Sequence, residues 1–260
     1  MLTVAAQLSG AGVDAGFAAM NQSLMKGFLT ALALATCGAA AAADSADLSF
    51  QSVGSGWRIA TFPQQRMPLT SYTDTVEAGR TALRLEAKQS YSPLVKAFHP
   101  PIALTRVAWS WRVAQQSAAI DLRAKAGDDT AAKVCVSLAW PDQWVPFVER
   151  QLLRIARSRT DQDLPAATLC WAWAANEATE VVIENPYTRR VRSIVLRGST
   201  HVGATWLDEK RDVQKDLRLA FGDEWPANAP APLVTAIFVA ADADNTRSHS
   251  IAWIADLKYE

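Results

Sequence analysis

The sequence predicts a mainly β fold, an antiparallel β-sandwich or jelly roll with one or two peripheral helices. Three observations carry this expectation. Downstream of residue 56 the chain divides into many short, strand-like runs separated by turn signals. All ten tryptophans lie in that part. Four of them form two W-x-W pairs, Trp109 with Trp111 and Trp171 with Trp173. Side chains two apart share one face of a strand, so each pair sets two large rings on one side of a sheet. Core packing is the default explanation of such a layer, because Trp is mostly buried. The alternative is a platform for stacking sugar rings. Trp140 and Trp144, in the loop-like stretch AWPDQWVPF, are better candidates for exposure.

The elements follow in chain order. Lys26 precedes an apolar run from Phe28 to Ala35, and an alanine tract ends at Ala43 before Asp44. A positive end, a short apolar core and small residues at the cleavage point make a secretory signal peptide. The run is too short to span a bilayer. Met20 or Met25 is then the start, and residues 1–19 are an upstream mis-start or an unusual n-region. Cys37, after Leu34-Ala35-Thr36, offers a lipoprotein alternative, although Thr fits poorly directly before a lipidated Cys. The expectation is an exported protein, periplasmic or secreted, with residues 1–43 removed and residues 44–260 forming one domain.

Candidate strands are Trp57–Phe62, Thr70–Val76, Arg80–Ala87, Ser90–Phe98, Leu104–Val113 and Ala131–Leu138. Thr168–Trp173, Glu180–Ile183, Arg190–Arg197, Leu233–Ala240 and His249–Tyr259 complete the set. In Leu104–Val113 the apolar face is Val107, Trp109, Trp111 and Val113. Two helices interrupt the pattern. Phe147–Arg159 carries Phe147, Val148, Leu152, Leu153 and Ile155 in a loose stripe. Leu207–Phe221 begins with acids and is followed by Gly222, which matches helix start and stop signals. On that helix Arg211 and Lys215, and Asp212 and Asp216, would share faces.

Charge excludes one class of partner. Twenty-six basic residues balance twenty-six acidic ones, so no bulk field draws the chain to nucleic acid or to an anionic membrane. The part after residue 43 offers no transmembrane run. Cys135 and Cys170 sit in strand-like runs, and either pair as a disulfide or remain buried free thiols. A bridge there contributes about 3–4 kcal/mol on the chain-entropy model.

Polar clusters are the candidate sites. Gly127-Asp128-Asp129 reads as a hairpin turn, with two carboxylates beside Arg123 and Lys125 as an alternative charge site. Asp242-Ala243-Asp244-Asn245-Thr246 reads as an Asx-type loop capping a hairpin. It also offers oxygen ligands that suit a hard cation such as Ca²⁺, with Asp242, Asp244 and Asn245 as the metal ligands. No other cofactor is implied. His99, His201 and His249 lack metal-like spacing. There is no G-x-S-x-G, G-x-G-x-x-G, phosphate loop or C-x-x-C.

The ordered set W-x-W-R at Trp109–Arg112, K-x-G-D-D at Lys125–Asp129, C-W-A-W at Cys170–Trp173 and Asn185-Pro186 continues with R-D-V-x-x-D at Arg211–Asp216, Phe221-Gly222 and D-x-D-N-T at Asp242–Thr246. Together they resemble the bacterial family catalogued as domain of unknown function 3047. The resemblance covers nearly all of residues 44–260 and implies an exported protein without an assigned activity. Cys135 and Cys170 depart from it, standing where aromatic residues such as Tyr are expected. The recurrence of R-D-V-x-x-D implies a helix docked through a buried ion pair, with Asp128 or Asp129 meeting Arg211 or Arg112. A looser similarity to jelly-roll carbohydrate-binding modules, galactose-binding-like in fold, rests on Phe50, Gly56-Trp57 and the last strand with Asp256.

The leading functional expectation is a ligand-binding sandwich for a glycan or cell-envelope polymer. Trp109, Trp111, Arg112, Asp128, Asp129, Arg211 and Asp212 would line its site. A second reading is an envelope-polymer hydrolase or lyase, with Asp128 and either Asp242 or Asp244 paired about 5–9 Å apart. A third is a non-catalytic assembly partner, marked by an exposed apolar patch.

Overall fold

The computed structural model describes residues 56–61, 65–160 and 164–260. The signal segment, Cys37 and Phe50 lie outside these residues. Twelve strands are described: β1 Trp57–Ile59, β2 Ser71–Glu77, β3 Arg80–Lys88, β4 Leu94–Ile102, β5 Arg106–Gln115, β6 Ala132–Leu138, β7 Thr168–Trp173, β8 Val182–Asn185, β9 Thr188–Arg197, β10 Leu207–Asp212, β11 Val234–Ala240 and β12 His249–Tyr259. Two α-helices accompany them, α1 Phe147–Thr160 and α2 Val213–Phe221. No described helix is long and apolar enough to cross a membrane.

The strands form two facing sheets, which is the sandwich the alternation predicts. The larger runs β1-β4-β11-β6-β7-β9-β8, the smaller β10-β5-β12-β3-β2. The pairings are antiparallel except for β7 beside β9, which is parallel. The sheet is therefore mixed, and the antiparallel expectation is corrected at that one place. The hairpin from β2 to β3 turns at Ala78-Gly79, both at positive φ. Glycine accepts that conformation without steric cost. In β4 the ladder to β11 passes from Ala97 to Ile102, so Pro100 and Pro101 need donate no bond.

The core is the aromatic layer between the sheets. Trp109 and Trp111 of β5 meet Trp171 and Trp173 of β7, with ring centroids 5.6 Å apart for 109–171 and 5.4 Å for 111–173. All four are fully buried. Trp109 and Trp111 are thus core residues, and their assignment to a ligand platform is corrected. Trp140 is buried too, packed on Trp144, Phe221 and Trp225. Its loop context did not expose it, because α2 and the 221–225 turn cover it.

Cys135 and Cys170 face each other across β6 and β7 and form a disulfide. Cys135 of β6 and Cys170 of β7 lie on the strand faces opposite Trp171 and Trp173, so the bridge lies on the outer face of the larger sheet with Ala60, Val95, Ala236 and Phe238.

The expected helix over Leu207–Phe221 is half strand. Leu207–Asp212 pairs with β5, from Leu207 opposite Trp111 to Asp212 opposite Arg106. The helix starts only at Val213, capped by the Asp212 carboxylate accepting from Lys215 N at 3.0 Å. Arg211 and Lys215 therefore share no helix face, nor do Asp212 and Asp216. In α1 only Leu153 and Ala156 are fully buried, while Phe147, Val148 and Ile155 are exposed.

Candidate functional site

Three loops meet at one end of the sandwich, and each carries one of the polar motifs. The first is the connection from β5 to β6, which is a long loop and not the hairpin turn its Gly-Asp-Asp composition predicts. Lys125–Gly127 forms one 3₁₀ turn. A Cβ on Gly127 would lie 2.7 Å from Asp121 N and 2.9 Å from Ala119 O, so only glycine fits this close approach. The second is the β8–β9 turn at Asn185-Pro186. The third is the segment Ala241–Ser248, which crosses from one sheet to the other, so it caps no hairpin.

Hydrogen bonds stitch the three together. Asn185 donates from Nδ2 to Asp128 Oδ2 at 2.6 Å, while its Oδ1 accepts from Tyr187 N at 3.0 Å. The buried Asp129 carboxylate accepts from Asn245 N at 3.1 Å, Thr246 N at 2.7 Å and Thr246 Oγ1 at 2.6 Å. Asn245 Nδ2 donates to Asp128 O at 2.9 Å, and Tyr187 OH donates to Lys125 O at 2.9 Å with Asn245 Oδ1 a longer alternative acceptor at 3.3 Å. The Asn245 amide nitrogen is thus committed to the first loop, and the carboxylates that approach one another are Asp129, Asp242 and Asp244. One carboxylate oxygen from each of these three aspartates lies within 4.8 Å of the others.

Asp242 is the most perturbed of them. Burial pushes its carboxyl pKa well up, and Asp244 and Asp129 add to this while Lys133 opposes it. Lys133 Nζ stands 3.6 Å from Asp242 Oδ2 and 4.8 Å from the centroid of the Tyr91 ring. Burial, then Asp242, Asp128 and Asp244, likewise raise the Tyr91 hydroxyl pKa. A small cavity of about 30 Å³ touches Tyr91, Asp128, Thr130, Lys133, Asn185 and Asp242. Asp128 and Asp242 both line this cavity. That volume admits a water or an ion and excludes a sugar ring.

The remaining candidates do not join this cluster. Arg112 donates to Ala204 O at 3.1 Å, pairs with Glu77 and stacks on Trp253, on the outer face of the smaller sheet. Arg211 holds Asp216 by two bonds of 2.8 Å and Glu180 by bonds of 2.8 and 3.0 Å. Burial opposes its charge, yet these carboxylates raise its pKa. Asp216 also accepts from Trp171 Nε1 at 2.7 Å. The helix therefore does dock through a buried ion pair, but Arg211 meets Asp216 rather than Asp128 or Asp129. Asp212 is a helix cap. His249 bonds Glu86 at 2.9 Å, apart from the carboxylates.

Residues missed by sequence reasoning are Tyr91, Lys133 and Tyr187. Each is a single polar residue in or beside an ordinary strand pattern, and no local signal marks it. A shallower depression of about 550 Å³ lies beside the third loop, lined by Pro68, Lys88, Gln89, Arg247, Ser248 and His249. Thr246 Oγ1 and Ser248 Oγ, 2.7 Å apart, tie it to the aspartate cluster.

Fold and site together define a two-sheet β-sandwich whose polar motifs converge in loops at one end. The chain belongs to the family described as protein of unknown function (DUF3047), whose model matches residues 55–258. No curated protein matches it. Among solved structures, one titled as the structural analysis of an exo-beta-agarase is similar with 10% identity and a TM-score of 0.37, covering 82% of this chain and 24% of that one. The chain thus spans about a quarter of that chain's length. Another is the xyloglucanase domain of NopAA, a type three effector from Sinorhizobium fredii in complex with cellobiose, with 8% identity and a TM-score of 0.36, covering 78% and 97%.

Proposed function

We propose that this chain binds a glycan or cell-envelope polymer that carries acidic groups, at the loop end of the sandwich. The observation that carries this reading is the open depression of about 550 Å³ bordered by Lys88, Arg247 and His249. Its size is that of small-ligand sites. The nearby acid is already engaged: Glu86 bonds Arg84 at 2.5 Å, Lys88 at 2.9 Å and His249 at 2.9 Å. Those bonds, Arg84 first, lower its pKa to about 2. Exposed Arg247 therefore faces solvent in a locally cationic rim, and the aspartate-anchored loop fixes its position. No tryptophan lines this depression, so ring stacking contributes nothing there, and charge-assisted hydrogen bonds to carboxylate or phosphate groups take over.

Affinity electrophoresis of the full chain through gels containing uronate-bearing or neutral polysaccharides tests this. Retardation is expected in the acidic gels alone, and Arg247→Ala is expected to abolish it. Equal mobility in every gel removes the reading.

A specific feature of α1 favours a second reading, that of an envelope assembly partner. Phe147, Val148 and Ile155 stay 67%, 66% and 48% exposed on one helix. Contiguous exposed apolar surface marks interaction sites. A photo-crosslinker at position 148 in intact cells would then yield one defined protein adduct, and one at exposed Lys258 on β12 would not. Equal labelling from both positions removes this reading.

A further inference from the structure

We propose that Asp242 and Asp244, with Asp129 behind them, bind one calcium ion that locks the loop from Ala241 to Ser248. The three carboxylates come from two segments far apart in sequence and approach within 4.8 Å. Clustered acids alone are no site, but Asp242 adds an independent observation. It is 4% exposed, and its Oδ1 atom is buried without a hydrogen-bond donor from the protein. Its other oxygen faces Lys133 Nζ at 3.6 Å, beyond hydrogen-bond reach. A buried carboxylate oxygen without a donor is costly unless a cation or a proton meets it.

Dimensions and donor chemistry admit calcium. Calcium binds oxygen at about 2.3–2.6 Å in a flexible shell, so two oxygens flanking one ion stand about 4.6–5.2 Å apart at most, whereas magnesium demands a near-ideal octahedron. The three carboxylate oxygens lie within 4.8 Å of one another, inside the calcium limit. Every charged ligand is a hard oxygen, as calcium prefers. Asp129 already accepts bonds from Asn245 and Thr246 on both oxygens, so it supplies charge and position more than a direct bond. The adjacent cavity of about 30 Å³ has room for water ligands, with Thr130 and Asp128 on its wall. Four acidic side chains, Asp128, Asp129, Asp242 and Asp244, gather here, and Lys133 is the one cationic residue lining the cavity.

The inference does not depend on polymer binding, which is read separately. The full chain is stripped with a chelator, and bound metal is counted by mass spectrometry after addition of Ca²⁺ or Mg²⁺. One Ca²⁺ per chain is expected, with a Tm rise of about 5–10 °C at a hundredfold excess over Kd and a smaller rise with Mg²⁺. Asp242→Asn and Asp244→Asn are expected to fold and to lose the calcium-dependent rise. Terbium provides a second readout, since Tyr91 beside the cluster sensitises its emission in the unmodified chain and excess Ca²⁺ quenches it. Absence of bound metal and of terbium emission overturns the inference and leaves a proton shared between Asp242 and Asp244. A calcium response that persists unchanged in Asp242→Asn overturns it too, since the ion then binds elsewhere.

Discussion

Trp111 shows how one residue joins the sandwich. Its ring packs between the sheets against Trp109 and Trp173, and its Nε1 donates to Glu209 Oε1 at 3.0 Å. Trp111→Ala is expected to cost about 3–5 kcal/mol through lost transfer energy and the cavity left behind, measured by urea unfolding. Glu86 supplies a pH effect of defined sign. Its folded pKa is lowered to about 2 from an ordinary value of 4.5, so its contribution is present above the ordinary value and fades as pH falls towards 2. Glu86→Gln should flatten the loss of Tm between those two pH values, and an unchanged profile would refute the assignment. At this scale the sequence was legible where a side chain obeys strand alternation, as at Val107, Trp109, Trp111 and Val113. It was illegible at Tyr91 and Lys133, because Asp242, the partner they share, sits more than a hundred residues away.

At the level of elements, the strands were read well and the boundary at Asp212 was not. Leu-Asp-Glu-Lys-Arg-Asp has good helix formers and charges on both faces, which imitates a solvated helix. Its place at the edge of the smaller sheet decides the matter, since β5 offers it an open ladder and charged side chains suit an edge strand. The helix that follows is pinned through Asp216. Asp216→Ala leaves Arg211 partly buried without its main partner and is expected to cost about 3–5 kcal/mol in denaturant unfolding. The disulfide makes another element-scale prediction. It joins adjacent strands over a separation of 35 residues, so the Cys135→Ala/Cys170→Ala double variant should lose about 3 kcal/mol, read from the denaturation midpoint.

Across the whole molecule, one apolar cluster contains residues of both sheets and both helices. Unfolding should therefore be a single transition, with near-ultraviolet tryptophan signals and far-ultraviolet backbone signals coinciding; separated midpoints would show that the sheets unfold independently. The sequence by itself determined the sandwich, because period-two alternation and paired tryptophans are local consequences of which face must be dry. It also marked Gly127–Asp129 and Asp242–Thr246 as polar motifs from turn chemistry, and Asn185-Pro186 through the family resemblance. Only the tertiary structure decided that these three motifs meet, that the tryptophans pack inward, and that Arg211 turns to Asp216. Which of these contacts form depends on sheet order and register, and neither leaves a periodic trace in the chain.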